Sequence, residues 1–283
     1  MSQAASFYAP VPESPREDLL ASYLAFLEKR DGGLDGDGTF PHREAWLEES
    51  RDWSVRSRQQ VDVASFQRGW SGGKTDTGDI ALQTLLTFVR INAGEAYGVE
   101  VVSRRHRDPD PSSLFDRVQR VLSKEETYHT RILLGATDQF GVPAPAEAWR
   151  PPLLLKFLIG SLTYSPTAIF HPILLGSEIA GIFAFNWLLK AVGRVFPDEP
   201  ELRESLERRL IEILIDEVGH VAFNRMAVGP SGLVAARRLA PYVVRGNLPD
   251  MRALGWKADS VLELERLDFS TLPEEVRRRS FFV

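Results

Sequence analysis

The sequence contains no cysteine, five histidines and three methionines. Without cysteine there is no disulfide, no thiolate nucleophile, no cysteine-held zinc and no iron–sulfur cluster. Metal chemistry in this chain must rest on His, Asp and Glu. An excess of basic charge is also lacking: Lys and Arg number 34 against 39 Asp and Glu, a net charge of −5. Nucleic acid is therefore not expected as a partner. The opening residues, MSQAASFYAPVPESPRED, have neither a basic start nor an apolar run, so a cytoplasmic location is expected. The most apolar stretch, 153–193, is interrupted by Pro166, His171, Pro172 and Glu178. No clean run of ~20 apolar residues survives there, and buried helices are expected rather than a membrane span.

What the sequence does have is globular composition and helical periodicity. Its 283 residues are 43% apolar and 26% charged, which excludes wholesale disorder. Periodicity predicts helices over 17–30, 79–105, 112–139, 152–163, 172–194, 200–227 and 231–245, with Pro172 in a first turn. The segment RDPDP closes one helix and offers Asp as the cap of the next. Residues 31–45 read as turn-like, 46–78 resist assignment, and a turn or two is expected near 259–267. No convincing strand pair is found. The expected fold is all-α and a single domain, with a four-helix core at about 79–228 and extensions at 1–78 and 229–283.

Two of the histidines share one local pattern. Glu126-Thr-Tyr-His129 and Glu217-Val-Gly-His220 are both Glu-x-x-His, and on a helix residues three apart can present an oxygen and a nitrogen to one point. Both pairs fall inside apolar stripes. Leu206, Leu210 and Ile213 precede Glu217 and His220 on one face, while Phe115, Val118 and Leu122 precede Glu126 and His129. Glu95 and Glu178 occupy comparable places, Glu95 with Leu85, Phe88 and Val99, and Glu178 with Leu174, Ile182 and Phe185. Acids in such surroundings are costly unless paired or metal-bound.

Depth along the helices agrees. Glu178 stands 17 residues before the break near Val195, and Glu217 stands 17 after the restart near Pro200. Both legs are about 26 Å, which predicts that the two acids face each other at one level. The legs from Glu95 and Glu126 to their shared break differ by about 4–5 Å. Four helices thus offer Glu, Glu-x-x-His, Glu and Glu-x-x-His.

This ligand order resembles that of the ferritin-like di-iron carboxylate superfamily, which includes acyl-carrier desaturases, ribonucleotide reductase small subunits, multicomponent monooxygenases and arylamine N-oxygenases. The resemblance covers roughly 79–228. It implies a ferritin-like bundle holding two iron ions, with di-manganese or mixed manganese–iron as alternatives, and O₂ as co-substrate. It implies Glu95, Glu126 and His129 at one metal and Glu178, Glu217 and His220 at the other, with Glu126 and Glu217 as bridges. It also implies that Asp216 accepts a hydrogen bond from a ligand histidine. Glu125 stands in the matching place of the first motif, and His171, seven residues before Glu178, is a further candidate.

Particular members of the superfamily fit less well. Leu133 replaces the tyrosine of ribonucleotide reductases, Ile182 the threonine of multicomponent monooxygenases, and Ile213 the added histidine of arylamine N-oxygenases. Gly181 is expected to open space beside the metals. The expected activity is oxidation of a small organic substrate, apolar, aromatic or amine-bearing, by hydroxylation, desaturation or N-oxygenation. Electrons would come from an external reductase or ferredoxin, and a homodimer is compatible with this reading. The alternatives are a metal-storage or ferroxidase protein and a non-catalytic helical scaffold.

Overall fold

The computed structural model describes residues 5–11, 16–36, 38–53, 55–105, 112–145, 160–162 and 164–283, excepting the side chains of residues 92, 95, 97, 100–105, 247–250 and 258. Among the described residues all regular structure is helical, with no strand. The α-helices are α1 (Arg16–Asp31), α2 (Pro41–Asp52), α3 (Val63–Trp70), α4 (Ile80–Arg105), α5 (Leu114–Leu134), α6 (Thr167–Val195), α7 (Pro200–Ala227), α8 (Pro230–Met251) and α9 (Glu274–Arg279). Short 3₁₀ segments follow α5 and α8.

Local chemistry explains most boundaries. The α4 helix starts where Asp79 accepts from the backbone N–H of Leu82 at 2.9 Å. The α5 helix is capped by Ser113, whose hydroxyl accepts from the N–H of Asp116. The cap expected from an Asp of RDPDP is supplied instead by the serine, which stands immediately before the first helical residue. The α7 helix begins with Pro200 in its first turn, where a missing N–H costs nothing.

Three expectations need correction. Residues 41–45 are helical, not turn-like: Pro41 opens α2. The sixth helix starts at Thr167, five residues before Pro172, so that proline lies in its second turn. Its ring forgoes the bond to the carbonyl of Ala168, a local cost of the kind an interior proline carries. The helix expected over 112–139 ends as α-helix at Leu134, and Gly135–Phe140 continue as 3₁₀. The helix expected at 152–163 lies largely outside the described residues.

The packing has a clear centre. Every residue of α7 from Glu212 to Met226 is buried. A helix buried all round must be enclosed by others, and α7 packs against α6, α5, α1 and α9. Beside it, α6 packs along both α7 and α8, and α4 packs along α5. At Gly176 a Cβ would stand 3.1 Å from the carbonyl of Ala236, so a residue without one lets α6 and α8 approach closely. Among the described residues one helix, α6, is long and apolar enough to cross a membrane by length and composition, and 61% of its most apolar window is buried inside the fold. Of the helices outside the expected four-helix core, α1 and α9 lie on α7 and cover its outer face. That face carries the residues behind the Glu-x-x-His motifs.

Candidate metal centre

The lengths of the helices bring the motifs to one level. Glu178 is 17 residues before the end of α6, and Glu217 is 17 residues after the start of α7. Glu126, Glu178, Glu217 and His220 each offer a ligand atom, and these atoms lie within 4.8 Å of one another. His129 joins them. Its Nδ1 is 3.2 Å from Glu126 Oε2 and 3.5 Å from Glu217 Oε1. His220 Nδ1 is 2.9 Å from Glu126 Oε1 and 3.8 Å from Glu178 Oε2. Glu126 therefore lies between the two imidazoles, one oxygen toward each. The rings are 5.6 Å apart between centroids, inclined by 29°.

The far side of each ring is held by an acid from the opposite motif. His129 Nε2 is 3.0 Å from Asp216 Oδ2, on α7. His220 Nε2 is 3.2 Å from Glu125 Oε2, on α5. Each Nε2–H donates to its carboxylate, which leaves both Nδ1 atoms directed at the shared carboxylates. Asp216 and Glu125 are both buried. The crossing follows from helical phase: the residue before a site-facing Glu points sideways, toward the neighbouring helix.

Behind those acids stand two arginines from α1 and α2. Arg43 donates from Nε to Asp31 at 2.7 Å, from one terminal nitrogen to Glu212 at 3.1 Å, and from the other to Asp216 at 2.6 Å and Glu125 at 3.4 Å. Arg30 donates to Asp216 and, at 3.0 Å, to Glu212. Arg279 of α9 donates to Glu212 at 2.6 Å. Sequence periodicity could not find these arginines, because their partners are remote in the chain. Glu212 had a visible signal: it is four residues before Asp216, one turn back on the same face.

The electrostatics follow from these contacts. Burial opposes charge on His129, but Glu126 and Asp216 outweigh it and push the imidazole up to about 10. His220 is likewise held well above the ordinary imidazole range, against burial, by Glu126 and Glu125. Burial would raise Glu126, yet the two imidazoles hold it well below the usual carboxylate range. Asp216 is also held well below that range, against burial, by Arg30 and Arg43.

The residues present fit a cation. His129 Nδ1 is buried and, among the described residues, has no hydrogen-bond partner of acceptable geometry, although carboxylates stand beside it. Three carboxylates and two imidazoles are the oxygen and nitrogen donors that divalent first-row metals take. Gly181 contributes by its lack of a side chain: a Cβ there would stand 3.3 Å from Glu217 Oε2. The space expected beside it for a small molecule is thus occupied by the Glu217 carboxylate.

The remaining candidates separate. Glu95 lies on α4, and its side chain is outside the described residues. His171 is buried edge-on between Phe115 and Phe170, with its Nδ1 3.4 Å from Asn224 Oδ1. Tyr128 donates its hydroxyl to Glu44 of α2 at 2.7 Å. His42 donates to the carbonyl of Arg30 at the end of α1. His106 lies outside the described residues.

A scan against protein-family models, a search of curated proteins and a search of solved structures each find no match for this chain.

Proposed function

We propose that Glu126, His129, Glu178, Glu217 and His220, with Glu95 from α4, hold two iron ions in a ferritin-like bundle. The protein is then an O₂-dependent di-iron oxidase or oxygenase acting on a small organic substrate. The observation that supports this reading best is the pair of crossed clamps, Asp216 on His129 and Glu125 on His220. Salt-bridged histidines need only one carboxylate each. Here each ring is held from behind while its other nitrogen faces a second, shared set of carboxylates, which is how imidazole ligands are oriented toward a metal.

When bound, the two ions would supply the electrons and open positions for reducing O₂ and oxidising the substrate. The chain's own residues set the frame. Glu126, set between both rings, would contribute one oxygen on each side of the centre. The side chains of Glu126 and Glu178 are 17% and 13% exposed, whereas His129, His220 and Glu217 are almost fully covered. Substrate therefore approaches from the Glu126–Glu178 side. With no cysteine for a cluster of its own, the chain draws its electrons from an external reductase or ferredoxin.

The test is iron content per chain after anaerobic Fe(II) loading and desalting, with Glu217→Ala beside it. About two irons per chain, lost in the variant, are expected from a dinuclear site. Near-zero iron in both would end this reading.

A further inference from the structure

We propose that Arg43 is a positioning residue for the metal centre, one guanidinium fixing both ligand imidazoles at once; this rests on the metal-binding reading above. The same terminal nitrogen of Arg43 reaches Asp216 at 2.6 Å and Glu125 at 3.4 Å. Asp216 holds His129 and Glu125 holds His220. Both imidazoles are therefore tied, through one acid each, to a single side chain on α2, a helix outside the four that carry the ligands.

Two further features support a role beyond filling space. Arg43 is 3% exposed, and its fork is fully used: Nε on Asp31 and the other terminal nitrogen on Glu212. Asp31 and Glu212 hold the guanidinium plane, and that plane sets where Asp216 and Glu125 stand. An ionic cluster this deep is also a poor way to gain stability, since apolar residues of similar volume are often as good or better. What it provides is a fixed direction for two carboxylates, which planar guanidinium does and a lysine ammonium does not. Arg30 supports the same acids from α1, with a 3.0 Å contact to Glu212 and a further one to Asp216.

The experiment is a Co(II) titration of the full chain followed by its visible d–d bands, with far-UV circular dichroism as the fold control. Relative to wild type, Arg43→Met is expected to weaken Co(II) binding at least about tenfold at both positions and to change the bands, with helicity retained. In Arg43→Ala, added guanidinium should restore affinity and bands. Arg209→Met is the structural comparator. Arg209 is equally buried but donates to the carbonyls of Ile132 and Ser50, so its loss should lower stability and leave the Co(II) bands in place. If Arg43→Met does not fold, Arg30→Met, with a partly exposed side chain on the same acids, carries the test. A folded Arg43→Met or Arg30→Met with wild-type affinity and bands would overturn the proposal, as would an equal loss in Arg209→Met. Failure of the wild type to bind Co(II) would overturn the metal reading with it.

Discussion

His129 Nε2 lies 3.0 Å from Asp216 Oδ2, although the two residues belong to different Glu-x-x-His segments. With its counterpart, His220 on Glu125, this contact makes α5 and α7 mutually dependent. Neither half of the site is complete without the acid from the other.

Replacing Asp216 by Asn keeps the shape and removes the charge. Metal affinity should fall by about 10–100-fold. Glu125→Gln should do the same. Because both acids share Arg43, the double variant should lose less than the two single losses combined. Competition titration against a chromophoric chelator measures all three. Full additivity would show the clamps to be independent.

Gly181→Ala separates site from scaffold. In a helix the change should favour folding by up to about 1 kcal/mol. The new methyl, however, would stand 3.3 Å from Glu217 Oε2 and displace the carboxylate. An unchanged or higher Tm with weakened metal binding is expected. A variant that binds metal as wild type does would mean that Glu217 can move freely.

Gly219 probes the other side of α7. A Cβ there would stand 2.4 Å from the hydroxyl oxygen of Tyr23. That hydroxyl is buried and makes no hydrogen bond among the described residues. Gly219→Ala should destabilise by about 1–3 kcal/mol through overpacking. Tyr23→Phe alone should be neutral or stabilising, since it removes an unsatisfied polar group. Combined with Gly219→Ala it should recover part of the loss. Urea unfolding of the four proteins closes this cycle.

Glu44 supplies a pH test away from the metal centre. Hydrogen bonds from Arg131, then from Tyr128, lower its carboxyl from the ordinary 4.5 to about 2. A depressed folded-state pKa contributes stability that is complete above the unfolded value and is lost as pH falls through the folded one. The pair is partly exposed, so the contribution is at most about 1 kcal/mol. The Tm gap between wild type and Glu44→Gln should narrow steadily from pH 5 to pH 3. A gap that does not change with pH would assign the effect to packing.

The parts legible in the sequence are those written locally. Glu126 and His129, or Glu217 and His220, are three residues apart, and helix geometry alone puts each pair on one face. The levels of Glu178 and Glu217 follow from counting to the break between their helices. Asp216 and Glu125 are visible as neighbours of the motifs, but which histidine each would hold depends on how α5 and α7 face each other. The α2 helix was hidden because PHREAWLEESRD has too few apolar residues for periodicity to register. Arg30 and Arg43 left no trace at all. A buried arginine is recognised by its partners, and apart from Asp31 theirs lie on helices far along the chain.

That distance shapes how the molecule is made. Arg43 and Asp216 are separated by 173 positions. At the usual pace of translation, about 5–20 residues per second, the arginine leaves the ribosome roughly 10–35 s before the aspartate it binds. Through that interval it stays hydrated, and the outer helices have no ionic seat to settle into. The contacts that seal the centre are among the most non-local in the fold and belong to the slow end of its assembly. On the proposed reading, a cation offered to the nascent chain would find only scattered carboxylates until α7 has packed against α5 and α6.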